Sequence, residues 1–315
     1  MHNRKAKLAA ERRPVTAALC VAVLVLVASC VSAPPPEEGM LSLPPGLTRP
    51  GWRTVAAGVE YASISPTRFV PRLHLLRADL EHSAVEVGLY PPQVHGAEPH
   101  EIAAPVDHRP GASTAALVSA TPFRHRFSWR RGFRMDPVGL YKVGGKLYSQ
   151  QEKQWGVLWQ DYRGELHITD GLEQSERAYW AAGGFEPILI DGQNIGIHEL
   201  RSARTAVGLG RDSRFLYIVV VEGHECARRG LTSRETAAVI AQLGAYHAMN
   251  FDGGNSAFLL LSGENGDLYY PYRGGRRSMA CFFTVLSEIS PQFSSSPGRS
   301  CDGGGRTPAY AAAGR

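Results

Sequence analysis

The chain lacks the marks of most metal- and nucleotide-dependent enzymes. Its five cysteines form no CxxC pair and no Cys/His spacing suited to a structural zinc. None of its 11 histidines stands in an HxH or HxxxH pair. No Walker loop and no GxGxxG after a strand is present, so a nucleotide partner is disfavoured. An excess of one charge is also missing from most of the chain. The formal charge is +5, from 34 basic and 29 acidic residues. Residues 1–29 hold five Lys/Arg and one Glu, which leaves 29 basic against 28 acidic beyond them. A near-neutral body, read as lacking any basic stripe interleaved with aromatics, gives no support for a nucleic-acid partner. No internal repeat is apparent.

What is present begins with an export signal. Arg4, Lys5, Lys7, Arg12 and Arg13 precede an apolar run from Val15 to Val27, the pattern of a secretory leader too short for a confident span. It ends Val27-Ala28-Ser29-Cys30, which resembles a bacterial lipobox. That resemblance implies cleavage before Cys30, lipid on its thiol, and a protein exported and held at the cell envelope. Residues 30–46, with PPP and PP runs, read as a tether, and residues 290–315, rich in Ser, Gly, Pro and Ala, as a disordered tail. Residues 47–289 are long enough for one domain with a substantial core. An exported compartment permits a Cys226–Cys281 disulfide; Cys301, in the tail, leaves an odd count.

Short β-type runs dominate this body: 73–80, 85–90, 115–118, 138–143, 156–159, 166–168, 187–190, 205–209 and 215–221. The first two, separated by Glu81-His82-Ser83, predict a hairpin. Phe215–Val221 is almost continuously apolar, as in a strand buried on both faces. One helix stands out. Thr232-Ser233-Arg234-Glu235 has the form of a capping box, an apolar face follows through Leu243, and Gly244 supplies the stop. The expected fold is α+β: a single domain of mixed, largely antiparallel twisted sheet with a few packed helices.

The most informative stretch is Gly244–Leu261, GAYHAMNFDGGNSAFLLL. An apolar run ends in Asn250-Phe251-Asp252, and Gly253-Gly254 allow a backbone that a β-carbon would obstruct. The pair Asp252-Gly253 also suits a hairpin turn. A site built from strand ends would gather Arg204, Glu222 and Asp252 beside the helix N-terminus near Thr232. Two carboxylates can divide the work of glycoside cleavage, and an arginine fork binds phosphate. Asp252 with neighbouring carbonyls could also take a divalent cation, although no cofactor is indicated.

The order of these segments resembles the phosphodiester glycosidase family. The matching motifs are Arg204-Thr205-Ala206-Val207-Gly208, Glu222-Gly223, Gly230 through Ala237, and Asn250 through Ser256, with GGFEPILIDGQ (183–193) upstream. The resemblance implies a hydrolase of sugars joined through the anomeric carbon to a phosphodiester, including exopolysaccharide-related substrates. It implies Asp252 at the anomeric centre, Arg204 on the phosphate, and Glu222 as second acid or hydroxyl acceptor. Asn250, Gly253, Gly254, Ser256, Thr205, Ser119 and Glu235 are implied around the substrate; the capping box accounts for Glu235 equally well. Three positions depart from the family pattern. Ser119 stands where an asparagine is usual, Glu222-Gly223-His224 replaces D-G-R, and Asn255 replaces a third glycine. These departures motivate an alternative, a catalytically quiet lipoprotein that binds glycan or an envelope partner.

Overall fold

The computed structural model describes residues 49–288 apart from 68–69, 104–112, 130–131, 152–154, 224–228, 263–266 and 270–276. The leader, Cys30, the tether, His224, Cys226 and the tail therefore lie outside the described residues. The chain divides into two units, Met1–Leu43 and Pro44–Arg315, and everything below belongs to the second.

Among the described residues of this unit the strands form three sheets and a ribbon. The largest has eight strands in the order β1 (Arg53–Ala56), β2 (Val59–Ile64), β3 (Leu73–Asp79), β16 (Phe215–Val221), β15 (Arg204–Gly210), β17 (Ala245–Asn250), β13 (Pro187–Ile190) and β14 (Gln193–Asn194). A second runs β11 (Leu166–Thr169), β10 (Val157–Asp161), β12 (Ala178–Gly183), β8 (Tyr141–Val143), β9 (Lys146–Ser149). The third runs β19 (Asp267–Tyr269), β18 (Leu259–Leu261), β5 (Ser113–Ser119), β20 (Phe282–Ser287), β4 (Glu86–Leu89). Among the described residues, strands β6 (Phe123–Ser128) and β7 (Gly132–Pro137) pair only with each other.

The prediction of largely antiparallel sheet with few helices holds, whereas its mixed character does not. Among the described residues the pairings between strands are antiparallel and divided among separate sheets. The predicted hairpin over 73–90 is also corrected. β3 pairs with β2 and β16, whereas β4 pairs with β20. Two successive tight turns, His82 N to Asp79 O (3.1 Å) and Val85 N to His82 O (2.9 Å), carry the chain from one sheet to the next. The run expected from Val138 starts at Tyr141, because Val138 N instead donates to Pro122 O at 2.7 Å, closing the base of the ribbon.

One face of the eight-stranded sheet shares a core with the other two. Leu76, Ile218, Val207 and Met249 pack with Val118, Phe283, Leu158 and Trp180. Each such fully buried side chain contributes about 1.5–3 kcal/mol. Helix α2 (Ser233–Leu243), the longer of the two α-helices among the described residues after the short α1 (Pro99–Ala103), lies on the opposite face over β13, β15, β16 and β17. Its predicted signals are all in place: Thr232 accepts from Glu235 N, Glu235 accepts from Thr232 N, and Gly244 ends it at φ 115°. Among the described residues no helix is long and apolar enough to cross a membrane.

Candidate active site

Antiparallel pairing decides which residues meet. In the order β3, β16, β15, β17, β13, the starts of β3, β15 and β13 share one sheet edge with the ends of β16 and β17. Val221 stands opposite both Leu73 and Arg204, Ala206 opposite Asn250, and Pro187 opposite Met249. The edge therefore carries Arg72, His74, Glu222, Arg204, Asn250, Asp252 and Glu186. The N-terminus of α2 lies over it, since Ser233 reaches Asn250 and Glu186.

The glycine turn is clamped by backbone. Phe251 N donates to Thr205 O, Asp252 N to Ala120 O and Gly254 N to Ala203 O, each at 2.8 Å. Ser119 Oγ donates to Asp252 O at 2.7 Å and lies 3.0 Å from Thr205 Oγ1. A β-carbon on Gly253 would sit 2.9 Å from Ala203 O, and Gly254 takes φ 55°. Both glycines are thus required, one for close approach and one for its left-handed backbone. The hairpin reading of this turn is overturned, because β17 and β18 belong to different sheets. The chain crosses between them through one 3₁₀ turn, Gly254–Ser256, in which Ser256 is buried. Asp252 itself is half-buried. Its charge is felt by Cys281, whose thiol is pushed well up, first by burial and then by this carboxylate. Cys281 is a buried free thiol, and Cys226, its suggested disulfide partner, lies outside the described residues.

A second group sits under the helix start. Asn250 Nδ2 donates to Glu186 Oε1 at 3.0 Å and lies 3.3 Å from Ser233 Oγ, which also donates to Glu186 Oε1. The other carboxylate oxygen of Glu186 faces His198 Nε2 at 3.5 Å. A carboxylate at a helix N-terminus is favoured by the helix dipole. Asn250 is only 1% exposed, so it supports the turn from behind and does not present its amide to a ligand. Ser119 and Thr205 are equally inaccessible. Gly184 makes this packing feasible, because a β-carbon there would fall 2.0 Å from Asn250 O.

Charged side chains of the edge are held in different ways. Arg204 donates through Nε to Leu231 O (3.2 Å) and through Nη2 to Leu200 O (2.7 Å). Glu235 is engaged on both oxygens, by Thr232 N at 2.9 Å and by Arg201, which makes it a structural group. Glu222 Oε1 lies 3.1 Å from Nε2 of the buried His74 and 3.6 Å from Arg72 Nε. Nδ1 of His74 is 2.9 Å from Tyr61 Oη. Burial holds the His74 pKa below its ordinary value, against the opposing hydrogen bond and charge of Glu222, and Arg72 adds to the lowering.

The structure thus brings Ser119, Thr205 and Asp252 into one hydrogen-bonded group and Asn250 into another, with Arg204 on the strand between Glu222 and Asn250. Sequence reasoning missed Glu186, Ser233, His198 and the His74–Arg72 pair. The available signal was Glu186 itself, an acid at the head of the apolar strand 187–190. Among the described residues one set, Asp161, Glu165 and His167, has metal-like proximity. Asp161 Oδ1 already accepts the amides of Arg163 (2.8 Å) and Glu165 (2.9 Å), which explains it as a turn.

Comparison with known proteins adds a family. The phosphodiester glycosidase family matches residues 114–286, more than half of the 315 residues. Among solved structures the chain is similar to the catalytic domain of zebrafish N-acetylglucosamine-1-phosphodiester alpha-N-acetylglucosaminidase, auto-inhibited by its pro-peptide. That likeness has a TM-score of 0.52 at 18% identity, over 74% of this chain and 84% of that one. A hypothetical protein from Synechocystis gives TM-score 0.52 at 13% identity, over 73% of this chain; the match spans 62% of the length of that protein. At these identities the likenesses establish the fold. Sequence comparison with curated proteins yields no match.

Proposed function

The chain belongs to the phosphodiester glycosidase family, and on that premise we propose that it hydrolyses a glycosyl phosphodiester of the cell envelope. We take it to be exported and held at the membrane by lipid on Cys30. The observation that carries the reading is the clamped turn, which fixes Asp252 half-buried at the sheet edge, one strand from Arg204.

In the proposed reaction a water oxygen bonds to the anomeric carbon while the bond from that carbon to the phosphate oxygen breaks. The phosphate monoester departs with the bonding electrons, and the water proton passes to solvent or to the leaving group. That leaving group is weakly basic, its second pKa being about 6, so protonating it matters less than in ordinary glycosides. Stabilising the oxocarbenium-like carbon and the phosphate charge matters more. Asp252 serves the first need and Arg204 the second, while Glu222 accepts a sugar hydroxyl. Ser119, Thr205 and Asn250 act by positioning the turn.

A glycan-binding protein without turnover is the second reading, favoured by Ser119, whose hydroxyl is spent inside the protein. The deciding experiment is a hydrolysis screen of glycosyl-1-phosphodiesters with the full chain and Asp252→Asn. The variant should melt like wild type yet lose activity by about three orders of magnitude, the scale on which removing a group that stabilises transition-state charge is felt. Full hydrolysis by a folded Asp252→Asn protein would end the assignment. Binding without hydrolysis by wild type would establish the second reading.

A further inference from the structure

A cavity that the proposed reaction does not use lies beside the ribbon. Met135 N donates to Val94 O (2.8 Å), joining β7 to the segment 92–94, and Ser149 Oγ donates to Pro137 O (3.1 Å), joining β9 to β7. Residues of these elements line a cavity of about 520 Å³, a volume in the range of small-molecule sites. Its lining divides by chemistry: Pro92, Val94 and Pro137 supply apolar surface, Arg126 and Arg134 supply charge, and Tyr148 supplies an exposed ring. Pairing in the ribbon sets the charge. Arg126 stands directly opposite Arg134, and two residues along on the same face Arg124 stands opposite Asp136. Like charges so placed are destabilising unless an anion compensates them. Asp136 does this in part: its Oδ1 accepts from Arg134 Nε at 3.0 Å, and its Oδ2 lies 3.9 Å from Arg126 Nη1. One carboxylate thus serves three guanidiniums, and Lys146 adds a fourth cation 4.9 Å from the centre of the Tyr148 ring. Among the described residues no other carboxylate pairs with these four cations. The run Phe123-Arg124-His125-Arg126-Phe127 also corrects the expectation that no basic stripe is interleaved with aromatics.

Uncompensated guanidinium charge beside a single ring suits a ligand that carries both an anion and a flat apolar face. An acidic sugar has both. Its carboxylate or phosphate fits an arginine fork, and its C–H face lies against an aromatic ring. A nucleic-acid strand fits less well, because successive bases need successive rings, and Tyr148 is the one ring lining the cavity among the described residues. We propose that the cavity between β7, β9 and the segment 92–94 binds an acidic saccharide, its anionic group on Arg126 and Arg134 and its ring against Tyr148. Asp136 already holds Arg134 in place, so less side-chain freedom is lost on binding. The site shares only the glycan class with the proposed reaction and does not depend on turnover at Asp252. The ribbon nonetheless links the two. Pro137 pairs with Phe123, and Ala120, three residues before Phe123, accepts from Asp252 N.

The test is titration calorimetry of the full chain with three probes: an oligogalacturonate, a neutral malto-oligosaccharide of equal length, and glucose 6-phosphate. At least one acid should bind and the neutral chain should not; the tighter acid tells a carboxylate site from a phosphate site. Arg126→Gln and Arg134→Gln should each weaken binding roughly tenfold at unchanged near-ultraviolet circular dichroism, the scale of a hydrogen bond to a charged group. Where Arg134→Gln fails to fold for want of its Asp136 pair, the more exposed Arg126→Gln decides alone. Tyr148→Ser should weaken binding roughly fivefold through the lost ring. Binding is read apart from hydrolysis, so each reading can fail without the other: Asp252→Asn should bind the acid as wild type does. Three results would overturn the proposal: no binding of either acid by wild type, equal binding of the neutral chain, or unchanged affinity in folded Arg126→Gln. Tighter binding of a single-stranded oligonucleotide than of either acid would also overturn it and give the cavity to nucleic acid.

Discussion

Gly184→Ala tests whether the buried layer behind the turn is as tight as it looks. The new methyl would stand 2.0 Å from Asn250 O and 2.5 Å from Met249 Cε. Since β-carbons essentially never approach heavy atoms within 3.0 Å, a gap of about 1 Å must open. It would open where Phe185 N donates to Asn250 O (2.8 Å), Asn250 N to Glu186 O (3.2 Å) and Asn250 Nδ2 to Glu186 Oε1 (3.0 Å). Overpacking is worth about 1–3 kcal/mol and each lost hydrogen bond about 0.5–1.5 kcal/mol, so the loss should reach about 3–5 kcal/mol. For a domain of this size each kcal/mol lowers Tm by about 2–4 °C, giving a drop of roughly 6–20 °C by thermal circular dichroism. Hydrolysis should fall with it, because Asp252 follows Asn250 by two residues. Gly88→Ala is the control: nothing lies within 4 Å of its added carbon, and Tm should stay within about 2 °C of wild type. A Gly184→Ala protein that melts with this control and keeps wild-type turnover would refute the reasoning.

Ser119→Ala removes the hydroxyl that donates to Asp252 O and contacts Thr205. It should cost about 1–3 kcal/mol, seen as a fall in Tm, and lower kcat more than KM because the turn loosens without losing a substrate contact. On the acid side, His74 titrates below its ordinary 6.5 in the fold and near it when unfolded, so the unfolded chain binds the extra proton. Its stabilising contribution is therefore complete above about pH 6.5 and shrinks as pH falls, at no more than about 1.4 kcal/mol per pH unit. Urea unfolding at stepped pH should show this slope in wild type and less of it in His74→Gln; equal slopes would exclude His74 as the source.

Strand and helix signals were legible where one local rule sufficed. The capping box, Gly244 and the apolar run 215–221 needed only their own neighbours, and each took the expected form. The ribbon did not announce itself, because FRHRFS has no apolar alternation to mark a buried face. The hairpin over 73–90 failed for a different reason. Two adjacent apolar runs pair only if the link reverses the chain, and Asp79–Val85 turns a corner instead. Cys281 illustrates the same limit, since nothing in its neighbours reveals that it faces the core beside Asp252.

Strand parity explains what the motif series could and could not convey. Arg204, Glu222 and Asp252 come in chain order because each ends or begins a strand, and antiparallel pairing brings such ends to one edge. Which face each side chain takes is set by alternation along its own strand. Leu76, Ile218, Val207 and Met249 point into the core between sheets. Counting by twos from them puts His74 and Glu222 on that face together with Thr205, and leaves Arg204 and Asn250 on the helix face. The contacts agree: Glu222 meets His74, Thr205 meets Ser119, Arg204 meets Leu231 O and Asn250 meets Ser233. Asp252, beyond the last residue of β17, is released from this alternation by the glycine turn. That release lets one carboxylate serve an edge whose other charged groups are committed to one face or the other.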